Sequence, residues 1–188
     1  MVNPSKIFGR LGNQMFQYAF LYSEARNKGT DFYFQDEWFF EEHAEAIRAL
    51  YSSDIPDRID AVAIHVRRGD YVNNPFYVDL AADGYYERAM AEFPEGTEFL
   101  VFSDDIDWCM KSPIFDGKFI SFCTVKDEVE SMNMMAACKA HIIANSSFSW
   151  WGAWLSPKYP DNKVIAPAKW YSDGVERTVL PKHWKKVC

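Results

Sequence analysis

Two arginines, a glycine and an aspartate follow an unbroken run of small and β-branched residues in Ala61-Val62-Ala63-Ile64-His65-Val66-Arg67-Arg68-Gly69-Asp70-Tyr71. A guanidinium fork can pair two phosphate oxygens at once, which suits a diphosphate. Gly69 lets backbone approach a ligand closely. Successive strand residues point to opposite faces, so Arg67 and Arg68 are not expected to share one task. His65 and Arg67 share a face and are the pair expected at phosphates, with Arg68 on a nearby carboxylate. An Arg–Asp salt bridge that ties a loop down accounts for the same residues equally well, and local chemistry leaves both readings open.

Three further segments could do chemistry. In His141-Ile142-Ile143-Ala144-Asn145-Ser146-Ser147-Phe148-Ser149-Trp150-Trp151-Gly152-Ala153-Trp154 an apolar strand runs into hydroxyl residues where a helix begins. A helix start offers N–H donors to an anion, although plain capping by Ser146 or Ser147 is the commoner use of such residues. Trp150, Trp151 and Trp154 fall at helical spacing and read as packing rather than sugar stacking. Phe102-Ser103-Asp104-Asp105 ends another apolar run and reads as a helix cap or an acidic metal pair. Gly9-Arg10-Leu11-Gly12-Asn13-Gln14 is a glycine turn between strand and helix, distinct from G-x-G-x-x-G and weak alone.

The elements that must hold these segments follow from periodicity. Strands are expected at 6–8, 61–66, 98–102, 118–122, 141–144 and 163–166. Helices are expected at 13–28 (capped by Asn13, stopped by Gly29), 41–50, 84–93, 105–111, 128–140 and 148–155, with a turn at Pro56-Asp57. Alternating strands and helices imply an α/β, Rossmann-like, doubly wound parallel sheet. Ligands of such sheets sit beyond the carboxyl ends of the strands, where the Arg, Ser and Asp segments all fall.

Composition narrows the classes. A net charge of −7, with no basic run longer than two residues, argues against nucleic acid as a partner. The four cysteines form no C-x-x-C pair and read as free, mostly buried thiols. No apolar stretch is long enough for a membrane span and no leader is evident, so a cytoplasmic location is expected. The aromatic cluster at 32–40 suits a core or a homo-oligomer contact equally.

Together the four segments resemble the α-1,2-fucosyltransferase family (glycosyltransferase family 11-like). The matching stretches are Gly9 through Ala19, His65 through Tyr71, Phe102-Ser103-Asp104-Asp105 with Trp108-Cys109, Cys138-Lys139 through Leu155, and Val164-Ile165-Ala166-Pro167 with Lys169-Trp170. Their order and length make the resemblance specific. It implies inverting transfer of fucose from GDP-β-L-fucose to the 2-hydroxyl of a galactoside, without metal or further cofactor. It also implies two Rossmann-like lobes, with residues 59–188 as a GT-B-like donor lobe. By the same resemblance Arg67 meets the donor diphosphate with His65 close by. Ser146, Ser147 and Phe148 lie by the phosphates and base, and Gly12, Asn13 and Gln14 face the donor from the other lobe. Arg68, Ser103, Asp104 and Asn145 complete the expected donor set. Asp70 is the candidate base for the acceptor proton, or else the partner of Arg68. Two departures stand out. Only about 50 residues separate the Gly-Asn-Gln turn from the Arg motif, against roughly 100 for a full domain, so residues 1–58 read as a shortened, acceptor-side N-terminal lobe. Glu130-Ser131 replaces the family's acidic pair, which leaves Glu130 as the candidate partner of guanine. A GDP-sugar-binding module without transferase activity is the second reading.

Overall fold

The computed structural model describes residues 11–26, 43–52, 54–176 and 180–188. The strand expected at 6–8, Gly9-Arg10, Gly29 and the aromatic cluster at 32–40 lie outside them. Six parallel strands form one sheet: β1 (Ile59–Val66), β2 (Phe99–Ser103), β3 (Ile120–Phe122), β4 (Cys138–Ile142), β5 (Lys163–Pro167) and β6 (Lys185–Val187). Their spatial order is β3-β2-β1-β4-β5-β6, the doubly wound order of dinucleotide-binding folds. β1 lies in the middle, paired with β2 through Val62↔Phe99 to Val66↔Ser103 and with β4 through Val62↔Ala140 to Ile64↔Ile142. A strand so placed is buried on both faces, which explains its continuous apolar run.

Helices cover both faces. Val62, Ile64 and Val66 point into a core with Tyr85, Tyr86 and Cys109 of α3 (Tyr85–Met90) and α4 (Ile106–Lys111). Ala63 points the other way, to Met135 of α5 (Glu128–Ala137), as the two-residue strand period requires. On that second face α6 (Ser147–Trp154) buries Trp150, Trp151 and Trp154 against Met15 and Ala19 of α1 (Leu11–Arg26) and Ile47 of α2 (Ala44–Tyr51). The tryptophans are therefore core, as their spacing predicts. Arg48 of α2 donates to the carbonyls of Trp154 and Ser156 and lies over the rings of Trp154 and Tyr159, so a cation satisfies the free carbonyls at the end of α6. Among the described residues no helix is long and apolar enough to cross a membrane. Cys109, Cys123 and Cys138 are buried free thiols and Cys188 is an exposed one.

Three expectations change. The helix expected to run to 140 ends at Ala137, and Cys138-Lys139-Ala140 open β4 instead. Helix-favouring residues become strand because both edges of the segment pair, with β1 and with β5. α1 already includes Leu11 and Gly12, so Asn13 lies inside the helix and does not cap it. β6, a short polar strand at the sheet edge, has no apolar run to announce it.

Candidate functional site

In the order 3-2-1-4-5-6 the crossovers leave β1 and β4 in opposite directions, so a crevice opens beyond their carboxyl ends. The loop after β1 carries Arg67 to Tyr71, and the loop after β4 carries Asn145 and Ser146 into Ser147 and Phe148 at the start of α6. The rings of His65 and Phe148, 5.2 Å apart, join the two.

Arg67 is held by two carboxylates. Its Nη1 meets Asp104 Oδ2 at 2.7 Å. Its Nη2 pairs with Asp70 Oδ1, which the 3-10 turn Gly69–Tyr71 places three residues on. Asp104 also accepts the Arg68 backbone N–H at 2.9 Å. Arg68 lies over the Trp108 ring at 3.7 Å and reaches Asp105 Oδ2 at 3.5 Å. The expectation that Arg68 takes a nearby carboxylate therefore holds. That carboxylate is Asp105, and the alternative of Asp70 holding Arg68 is corrected, because the turn aims Asp70 at Arg67. Asp105 also caps α4, accepting Trp108 N–H at 3.3 Å. Thus the Ser103-Asp104-Asp105 segment supplies a cap and an arginine clamp, and Ser103 Oγ accepts the Asp105 N–H at 3.0 Å.

The Arg67 side chain is only 10% exposed, whereas that of Asp70 is 63% exposed and that of Asp104 22%. Asp104 is thus the inner clamp, and Asp70 closes the solvent side of the guanidinium. His65 is 3% exposed, and burial pushes its pKa down to about 3. It is a neutral imidazole at the base of the site, and its Nδ1 has no hydrogen-bond partner.

Two helix starts meet across the crevice. Ser146 takes the N-cap position of α6 without a side-chain cap bond, and Ser147 Oγ donates to Asn13 Oδ1 at 2.7 Å. A Cβ on Gly12 would stand 2.7 Å from Phe148 N and from Ser147 C, so only glycine lets α1 approach the backbone of α6 so closely. Gly12 and Asn13 of α1 therefore meet Ser147 and Phe148 at the start of α6, and Gln14 follows them in α1.

Asn145 departs from this pattern. It is buried, and its amide group donates to Val78 O at 3.1 Å and Trp170 O at 3.0 Å, tying the loops after β1 and β5 to the end of β4. Glu130 is exposed in the first turn of α5, its N–H on the capping Asp127. Sequence reasoning missed the Asp104–Arg67 clamp, because a pairing across 37 positions leaves no local trace. It also missed the rings beside it: Tyr71 stacks on Tyr77 at 3.7 Å, and Arg67 Cζ lies 5.2 Å from the Tyr71 ring.

Residues 22–187 match the model of glycosyl transferase family 11. An Escherichia coli alpha-1,2-colitosyltransferase is 40% identical over 184 residues, covering 82% of this chain and 61% of that protein. The O-antigen biosynthesis glycosyltransferase WbnK of Escherichia coli is 31% identical over 177 residues, covering 81% and 58%. A Mus musculus galactoside 2-alpha-L-fucosyltransferase Sec1 is 32% identical over 108 residues, covering 50% and 28%. The chain thus spans 61% and 58% of the length of the two bacterial relatives.

Proposed function

The chain belongs to glycosyl transferase family 11, and from that footing we propose that it is an inverting α-1,2-fucosyltransferase. It moves fucose from GDP-β-L-fucose to the 2-hydroxyl of a galactoside. The observation that carries this reading is the meeting, at the switch point of a 3-2-1-4-5-6 sheet, of the Arg67 loop after β1 with the start of α6 after β4, joined by the His65 and Phe148 rings.

The donor diphosphate takes the solvent side of Arg67 in place of Asp70, while Asp104 keeps the guanidinium aimed. Ser146, Ser147 and the first N–H groups of α6 face the same charge from the other side. As the bond between fucose C1 and the phosphate oxygen breaks, negative charge grows on the leaving GDP. Fixed donors stabilise it there without reorganising. The acceptor oxygen forms its bond to C1 from the opposite face, which inverts the centre. Its proton passes to Asp70, released from Arg67 by the diphosphate. His65 supports this site as a neutral group beneath it.

Two observations favour second readings. The relative that is 40% identical is named for colitosyl transfer, which makes a colitosyl group the alternative donor sugar. The span of about three-fifths of the bacterial relatives favours a module that binds the donor without transferring it. One assay separates the readings: GDP release from fucosyl and colitosyl donors, with and without lactose, beside a GDP titration. Lactose-dependent release from GDP-fucose supports the proposal. Release only from the colitosyl donor changes the sugar. Binding without release supports the module.

A further inference from the structure

Beside Arg67 the chain exposes rings that the reading above does not use. Tyr71, Phe76 and Tyr77 come from the loop after β1, and Tyr171 comes from the loop after β5. Tyr71 and Tyr77 stack with an interplanar angle of 6°. Phe76 lies 5.1 Å from Tyr77 and 5.0 Å from Tyr171, and Tyr77 lies 5.7 Å from Tyr171. Phe76 is 45% exposed.

The backbone beneath the rings is fixed. Tyr77 and Tyr171 form an antiparallel bridge, and Ser172 N–H donates to Phe76 O at 3.0 Å. Asn145 holds Val78 and Trp170, the neighbours of Tyr77 and Tyr171, to the end of β4. The turn from Tyr71 closes through Asn74 N–H to Tyr71 O at 3.1 Å, with Asn73 at a φ of 59° that asparagine tolerates. A preorganised group of half-exposed rings costs little conformational entropy on binding, and a grouped exposed apolar patch marks an interaction site.

Charge selects the occupant. Asp79 and Asp173 are exposed on the two loops, and Asp70 precedes Tyr71. Residues 71–79 and 171–176 contain no Lys or Arg. Asp79 and Asp173 each accept backbone N–H groups of their own loops through one oxygen, and a carboxylate has further lone pairs for hydroxyl groups. The rings themselves offer flat faces to apolar C–H surface. A neutral, hydroxyl-rich ring with one apolar face fits both. Through the contact of Arg67 with Tyr71, the patch is continuous with the phosphate side of the crevice.

We infer that Phe76, Tyr77 and Tyr171 form the platform on which the acceptor galactoside docks, with its hydroxyl groups toward Asp70. This rests on the transferase reading for its role, though binding to the platform is testable without turnover. Saturation-transfer NMR of lactose with the full chain gives the test, in wild type, Phe76→Ala and Phe76→Leu, beside a GDP titration of each. Leu keeps apolar bulk and removes the aromatic face. The expected result is galactose-ring saturation with wild type that falls about 5–10-fold in both variants, at unchanged GDP affinity. Equal lactose saturation in all three proteins, or none with wild type, overturns the platform. A GDP affinity that falls with Phe76 assigns the rings to the base and also overturns it. Failure of wild type to bind GDP strikes the transferase reading alone, and the lactose arm still decides the platform.

Discussion

Gly12→Ala sets two physical effects against each other. Gly12 is the second residue of α1, where alanine raises intrinsic helix stability by up to about 1 kcal/mol. The added methyl would stand 2.7 Å from Phe148 N and Ser147 C and 2.8 Å from Ser147 Oγ. Two of those three atoms are backbone in the first turn of α6, so no rotamer change relieves the clash. Reaching an ordinary contact of 3.4 Å requires α1 to withdraw from α6 by about 0.7 Å. Overpacking of this kind costs about 1–3 kcal/mol, so packing outweighs propensity by up to about 2 kcal/mol. For a chain of this size the melting temperature falls by up to about 8 °C. Because α1 carries Asn13 to Ser147, the same shift loosens the site, and a misplacement near 1 Å costs on the order of tenfold or more in turnover. Gly152→Ala is the control. Its Cβ would meet Met135 Sδ at 2.5 Å, a closer clash, but with a flexible thioether that can move aside. Thermal melts and GDP-release rates of the two variants decide the matter. If Gly12→Ala melts at or above the wild-type temperature and releases GDP at the wild-type rate, the close approach of the two helix starts is wrong.

Two further predictions concern stability. Arg48→Ala removes both hydrogen bonds to the end of α6 and the stacking on Trp154 and Tyr159. Urea unfolding should show a loss of about 2–3 kcal/mol while GDP affinity stays within twofold, and a loss under 0.5 kcal/mol would contradict the capping role. His141 is fully buried, with Met135 O at 2.9 Å from Nε2 and Asn162 Nδ2 at 3.3 Å from Nδ1. Burial lowers its pKa from 6.5 to about 4. A histidine with a depressed folded pKa binds its proton more readily when unfolded. Its stability contribution is therefore complete above pH 6.5 and is lost as pH falls toward 4, by roughly 3 kcal/mol. His65 extends the loss toward pH 3. Melting temperatures from pH 7 to pH 4.5 should fall for wild type and fall about half as steeply for His141→Gln, in which His65 still titrates; parallel curves would refute this.

Much of the fold is legible because a central parallel strand has to be apolar on both faces, as Ala61 to Val66 is. The tryptophans of α6 announce a buried helix in the same way. The end of β1 and the start of α6 are also readable, and with them the positions of Arg67 and Ser147. What sequence does not carry is pairing across distance. Cys138-Lys139-Ala140 has no local reason to leave a helix, and only the neighbours β1 and β5 supply one. Arg67 looks ready for a phosphate, yet its guanidinium rests on Asp70 and Asp104. Asn145, placed among donor groups by its position, serves to fasten two loops.

The measurement closest to the central claim is a GDP titration by calorimetry across wild type, Arg67→Ala and Asp70→Asn. Loss of the guanidinium fork should weaken binding about 10–100-fold in Arg67→Ala, which still unfolds cooperatively. Asp70→Asn should bind GDP at least as tightly as wild type, since it removes the group that competes for Arg67, while losing lactose-dependent release. Equal GDP affinity in wild type and Arg67→Ala would contradict the account and leave the motif as a salt bridge that ties down a loop.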